Sequence, residues 1–443
     1  MRRILLWKGL AVFGLALLLL IPLAMIQGQV EARNQRQKEV KANVAESAAG
    51  CQQVVGPLLV FTYTERVEEA DTNEKTGQVT RRIREVQGHQ IVPPQDLQIQ
   101  GEARVEERHR GLYKAQLYHL TARLTGRFSL TPNFGMDLSG RAITPGPSFL
   151  VVGIPDLRGI RNRPQVKWEG RALDFRPGVP RSRVPRGIQA ELGTLAFQDK
   201  KDFAFEIPLE LTGSQSLSFA PVGENTRVSL RANWPSPSFG GRFLPLDHQV
   251  GDKGFEAQWQ VSSLARSLDS ILKVEGHGPT EEAFDIAFIE PVNIYLQTER
   301  AVKYGFLFVG LVFAGFFFFE LLRKLRIHPM QYLLVGFALA MFFLLLLSLT
   351  EHIPFLWAYL AASAACIALL GAYLIHVLKS VAHGLGFAGG LTLLFGVLYG
   401  LLMSEDNALL MGSVLLFTAL AAVMLATRKL DWYGLSGKDS GVE

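Results

Sequence analysis

Four ionisable residues occupy two short turns between long apolar runs: Glu351 and His352 in one, Glu405 and Asp406 in the other. Arg300 and Lys303 stand just ahead of another apolar run. If all six share one membrane surface, their acids and bases attract more strongly there than in bulk water, because that surface is partly desolvated. Such a cluster can hold a cation, a proton or a lipid headgroup. It can equally be a structural charge network that docks a soluble domain on a helical bundle. Turn charges at an interface ordinarily need no ligand, so the docking network is the leading expectation.

Glu320 is the other acid of interest, because it follows the apolar stretch Phe316-Phe317-Phe318-Phe319. A carboxylate inside a membrane span is costly unless paired, and Lys324 lies one helical turn away. The expectation is a shallow carboxylate reaching a partner at the membrane edge. His328, His376 and His383 mark span boundaries, where a pH switch is conceivable but a boundary role is commoner. Ser363, Cys366 and Thr392 are the main polar residues at mid-span.

The motifs of common enzymes are missing: no Gly-x-Ser-x-Gly, no His-Glu-x-x-His, no Walker or dinucleotide fingerprint. Asp156-Leu157-Arg158-Gly159 reads as a polar turn whose acid and base hold one another. Cys51 and Cys366 are the only cysteines. One precedes the soluble part and the other lies within a span, so no bridge is expected, and neither a CxxC nor a metal-ligand spacing occurs. Nothing calls for a cofactor, and the scattered Lys and Arg give no nucleic-acid footprint. The expected partner is the lipid bilayer.

The elements that must position these residues are of two kinds. The chain of 443 residues is 49% hydrophobic and 19% charged, with net charge +5 and mean hydropathy +0.19. Residues 330–350 contain no charge, and at ~1.5 Å per residue they span a hydrocarbon core of roughly 30 Å. Only a helix satisfies its own backbone over such a run. Further spans are expected at 304–322, 355–378, 385–403 and 408–427, joined by short turns. Residues 10–26 form an apolar run after a basic start at 1–9. They read as an uncleaved anchor kinked by Pro22, since no small-x-small site follows. Residues 27–50 then read as a polar linker helix. The expected total is six transmembrane helices, one N-terminal and five C-terminal. Gly386, Gly389, Gly390, Gly396 and Gly400 would let the fifth pack closely on its neighbours.

Residues 51–303 differ throughout. Stretches such as GLYKAQLYHLTARLTGRFSL and FAFEIPLELTGSQSLSFAPV alternate apolar and polar residues between Gly, Pro and Asn. That period predicts a large, mostly antiparallel, sandwich-like β domain, with room for two subdomains. Pro147-Ser148-Phe149 and Pro237-Ser238-Phe239 are too short to establish a repeat.

The basic residues set the orientation. With alternating spans, Arg2, Arg3, Lys8, Arg323, Lys324, Arg326, Lys379, Arg428 and Lys429 all fall on one side. The opposite turns carry Glu351, His352, Glu405 and Asp406. Both termini, including the tail 428–443, are therefore expected in the cytoplasm and residues 27–303 outside it.

The stretch HPMQYLLVGFALAMFFLLLLSLTEHIPFLWAYLAASA resembles the CreD family of bacterial inner-membrane proteins. Val55-Gly56-Pro57-Leu58, Asp156-Leu157-Arg158-Gly159-Ile160, Asn233-Trp234-Pro235-Ser236-Pro237-Ser238-Phe239 and Gly254-Phe255-Glu256-Ala257-Gln258-Trp259 share in the resemblance. So do Arg300-Ala301-Val302-Lys303-Tyr304, Glu405-Asp406-Asn407-Ala408-Leu409 and Thr427-Arg428-Lys429-Leu430-Asp431-Trp432-Tyr433. Ala340-Met341-Phe342-Phe343 departs from it, where a Tyr is expected. The resemblance implies an inner-membrane protein of cell envelope integrity and envelope stress, with an unidentified component of the periplasm or envelope as partner and no catalytic residues to carry over. The expectation is a non-enzymatic protein acting through its periplasmic domain; the alternative is a transporter or lipid-handling protein using the helical bundle.

Overall fold

The computed structural model describes residues 2–72, 79–111, 113–136, 138–139, 141–180, 184, 186–195, 201–268, 271, 282–290, 294–323, 327–378, 380–404 and 408–428. The chain divides into two compact units. The helical unit comprises Met1–Gln37 and Val292–Glu443, and the β unit comprises Lys38–Pro291.

The helical unit opens with α1 (Arg2–Leu18) and α2 (Leu20–Ser47), separated only by Leu19; the end of α2 from Lys38 belongs to the β unit. Pro22 has no N–H for the carbonyl of Leu18, so regular helix lapses one turn before the proline. Hydrogen bonds from Leu19 to Leu15 and from Leu23 to Leu19 carry the helix across. The anchor and the polar linker are therefore nearly one rod. Next come α3 (Ile294–Arg323), α4 (Pro329–Thr350), α5 (Phe355–Val377), α6 (Val381–Met403) and α7 (Ala408–Thr427). The span expected to begin at 304 belongs to a helix that starts at Ile294, and the β unit ends at Pro291, before the bound of 303 expected for it.

Among the described residues five helices are long and apolar enough to cross a membrane: Trp7–Ser47, Leu296–Glu320, Pro329–Thr350, Phe355–Val377 and Val381–Met403. The last helix counts as a shorter apolar segment, Leu410–Leu425. The core of the unit is aromatic, with Phe395 against both Phe308 and Phe342 at 4.7 Å between ring centroids. The start of α4 is tightly specified. Pro329 occupies the first turn, Met330 donates to the His328 ring, and Gln331 accepts from the His328 backbone. Together these satisfy amides that a helix start leaves without partners.

The β unit is a sandwich of two sheets. The first runs β13 (Pro237–Gly241), β16 (Phe284–Phe288), β11 (Ser216–Ala220), β1 (Gln52–Thr72), β5 (Ala142–Gly153), β9 (Gly187–Gly193), β8 (Arg176–Pro177), with β2 (Val79–Val92) also on β1. The second runs β14 (Asp247–Gly251), β15 (Gly254–Ser262), β12 (Asn225–Ala232), β3 (Asp96–Arg110), β4 (Tyr113–Leu130), β10 (Lys201–Ser214), β6 (Gln165–Trp168), β7 (Arg171–Asp174). Most pairings are antiparallel, as expected, but β1 with β11 and β3 with β12 are parallel, so both sheets are mixed.

Alternation sends Phe203, Phe205, Ile207, Leu209 and Leu211 of β10 inward and Glu206 and Glu210 outward. Inward residues of both sheets form one continuous core, which makes this a single sandwich rather than two subdomains. Gly126 on β4 permits a close approach of neighbouring strands: a Cβ there would collide with the Asp96 carbonyl.

Candidate functional site

The most enclosed charges lie at the end of the helical unit that holds Lys8. Glu320 is only 5% exposed. Its carboxylate accepts from Lys8 Nζ on α1, from the Ile327 amide at 2.9 Å and from the Tyr332 hydroxyl of α4 at 2.8 Å. Tyr332 is fully buried, and the rings of Phe313 and Phe316 from α3 lie against it at 5.7 and 4.8 Å. These phenylalanines are three residues apart and so share a helix face. The site ties three helices together with a charge whose hydrogen bonds are satisfied, the condition for retaining an acid at such depth. Lys324, the partner expected from spacing, lies outside the described residues.

At the opposite end Glu351 pairs with Arg33 of α2, Nε to Oε1, at 3.3 Å. Lys303 pairs with Glu299 one turn away on α3 at 2.7 Å. The His352 ring Nδ1 lies 3.2 Å from the Ser348 carbonyl. Arg300 sits half-buried on α3. Glu405 and Asp406 fall outside the described residues.

The structure therefore gives Glu351 and Lys303 partners that the sequence reading did not name, Arg33 and Glu299. A signal was available for Arg33. It lies 25 residues after Lys8 (33 − 8), or about 37 Å along a helix, just over the ~30 Å hydrocarbon thickness. Two cations at that spacing on one helix mark its two membrane boundaries.

Mid-span polarity leads nowhere. Ser363 donates to the carbonyl of Tyr359 at 2.7 Å, Thr392 to that of Ala388 at 2.9 Å, and Cys366 to that of Ala338 at 3.6 Å. Each is satisfied by helix backbone, and no two converge on a shared cavity. Gly386, Gly389, Gly390 and Gly396 have no heavy atom within reach of an added Cβ, so the expected close packing along α6 is not made at those positions. Gly384 does lie against the Ile375 backbone.

In the β unit Asp156 accepts from the Arg158 amide at 3.0 Å and from its guanidinium at 2.6 Å. Those bonds hold its carboxyl below the ordinary value. A second arrangement was invisible in the sequence. His119 Nε2 lies 3.5 Å from Glu106, and its Nδ1 lies 3.1 Å from the Thr212 hydroxyl, which also accepts from Arg161 at 3.0 Å. The order carboxylate, imidazole, hydroxyl is that of a nucleophilic relay. Thr212 is 1% exposed, however, and its oxygen is taken up by Arg161, so the group fastens β4 to β10.

Apolar helices of membrane-crossing length, with charges fixed at their ends, joined to a large β sandwich define a multi-pass membrane protein. The match with known families is specific: the family described as inner membrane protein CreD covers residues 4–433. The chain is 37% identical over 434 residues to the inner membrane protein CreD of Escherichia coli (strain K12), spanning 97% of this chain and 94% of that one. This chain belongs to the CreD family of inner-membrane proteins. Among solved structures, an M1 zinc metallopeptidase from Deinococcus radiodurans aligns over 44% of this chain and 42% of its own. At TM-score 0.19 and 9% identity that likeness carries no argument.

Proposed function

We propose that this protein supports cell envelope integrity without catalysing a reaction, through contacts its β unit makes on the exported side of the inner membrane. In this reading six helices cross the bilayer, Ala408–Thr427 being the sixth, and both termini are cytoplasmic. The observation that carries it is the segregation of charge. By sequence the basic residues fall in the N-terminal segment, in alternate turns and in the tail, and Glu351, His352, Glu405 and Asp406 fall in the intervening turns. Among the described residues Lys8 and Glu351 stand at opposite ends of the helical unit. The arrangement around Arg300, Lys303 and Glu351 then serves as a structural charge network at the outer surface.

Two experiments test this. Reporter fusions after Lys379 and Arg428 should read cytoplasmic, and fusions after His352 and Asp406 periplasmic; a periplasmic signal from the tail overturns the six-span count. Deleting the gene should sensitise cells to detergent, and the full chain should restore resistance. Full resistance from a variant lacking 51–290 would refute a role for the β unit.

A lipid-handling role is the second reading. It is favoured by an apolar groove of about 290 Å³ between α1 and α3, where Gly9, Phe13, Gly310, Ala314 and Phe317 form the walls. Lipid co-purifying in equimolar amount, and lost in Gly310→Leu, would support it.

A further inference from the structure

The outward face of the second sheet is not uniform. Around its margins the charges close on one another: Arg127 with Asp96 at 2.7 Å, Arg231 with Glu256 at 3.0 Å, and Arg123 and Lys167 with Glu206 at 3.0 and 3.1 Å. Within that ring lie two rows of residues in direct cross-strand register. One is Gln260, Arg227 and Gln98, and the other is Gln258, Ser229 and Gln100. Among the described residues, none of these six side chains makes a hydrogen bond or ion pair.

A shallow cleft of about 140 Å³ opens over five of them, with Leu246 as its apolar rim. Leu246 is 78% exposed. Asp247, the acid at the rim, is on the edge strand opposite Gln258, with β15 between it and Arg227.

We propose that this face binds an oligosaccharide that carries carboxylate groups. A glutamine side chain offers one acceptor and two donors. Four of them flanking a serine match sugar hydroxyls, which both donate and accept. Arg227 is the cation without an ion-pair partner in the patch, and its planar fork suits a carboxylate. A neutral glycan would leave that guanidinium unanswered, so charge complementarity selects an acidic one. Three strands at ~4.8 Å spacing give a footprint about 10 Å wide. The cleft is smaller than the roughly 300 Å³ of an engulfing pocket. The face therefore grips a short stretch of an extended chain.

This inference names a ligand class for the β unit and rests on the export reading above. Binding by purified protein is blind to membrane orientation, so the two fail separately.

The test uses the full chain in detergent with two probes, read by isothermal titration. One is a tetrasaccharide alternating N-acetylglucosamine with N-acetylmuramic acid, which bears carboxylates. The other is the neutral N-acetylglucosamine tetramer. The acidic probe should bind about tenfold more tightly, the effect of one good charge-assisted contact. Arg227→Gln should erase the difference, and Arg227→Lys should restore part of it. Gln98→Ala with Gln260→Ala should weaken both probes. Arg231→Gln, on the same face but drawn from a closed pair, should change neither. These side chains point outward, so the melting temperature should hold. Unchanged binding in Arg227→Gln, or no binding of the acidic probe, overturns the proposal. Displacement of the sugar by an acidic pentapeptide at lower concentration also overturns it, in favour of peptide docking.

Discussion

The two ends of the helical unit solve one problem in different ways. At each end a cation on the first long helix meets an acid from a later element, Lys8 with Glu320 and Arg33 with Glu351. The Glu320 side chain is 7% exposed and takes two further hydrogen bonds, from an amide and a tyrosine. At the other end Glu351 is 10% exposed, but Arg33 is 38% exposed and water shares its charge. The two acids are similarly buried; what separates the pairs is the cation, 21% exposed for Lys8 and 38% for Arg33, and the further bonds that Glu320 accepts. A charge that has lost its partner in a desolvated place stays expensive, whereas one at the rim is rehydrated.

That contrast sets the order of expected effects. Glu320→Ala strands Lys8 and the Tyr332 hydroxyl and should cost roughly 3–5 kcal/mol, seen as a large drop in thermal midpoint in detergent. Lys8→Ala combined with Glu320→Ala should cost less than the two single changes summed. Additivity would mean that the pair is not coupled. In the β unit, Gly126→Ala forces a methyl group against the Asp96 carbonyl and the Phe205 ring. It should cost about 1–3 kcal/mol in the same melt. Glu351→Ala leaves only the more exposed Arg33 behind and should cost under about 1 kcal/mol; a loss as large as that of Glu320→Ala would erase the distinction between the two ends.

The smallest effect concerns pH. The Asp156 carboxyl is held below its ordinary value, first by the side-chain hydrogen bond from Arg158. A depressed acid contributes stability above its unfolded pKa and loses it as pH falls through the folded one. The melting difference between the native chain and Arg158→Ala should thus be full near neutral pH and shrink toward about pH 2. A difference that grows on acidification would contradict the assignment.

Much of this architecture is legible in the sequence, because its signals are local. Charge-free runs mark the membrane helices, Pro22 marks the lapse at Leu19, and the alternation in Phe203–Leu211 marks a strand with one buried face. The remainder depends on chain segments that meet only after folding. Glu320 has a lysine four residues on, yet the cation the structure brings to it is Lys8, 312 residues distant. The parallel pairings of β1 with β11 and β3 with β12 join strands separated by several others. No local period encodes either. The unsatisfied face around Arg227 was hidden for the same reason: its rows are assembled from β15, β12 and β3, and each strand alone shows only ordinary alternation.

The central claim is that charge segregation places the β unit outside the cytoplasm, and the chain carries two natural probes of it. Cys51 is exposed where β1 begins, and Cys366 is buried within α5. Intact spheroplasts treated with a membrane-impermeant thiol reagent should label Cys51 and spare Cys366, as read by comparing the native chain with Cys51→Ser. Labelling of Cys51 only after the membrane is broken would place the β unit in the cytoplasm and contradict the account.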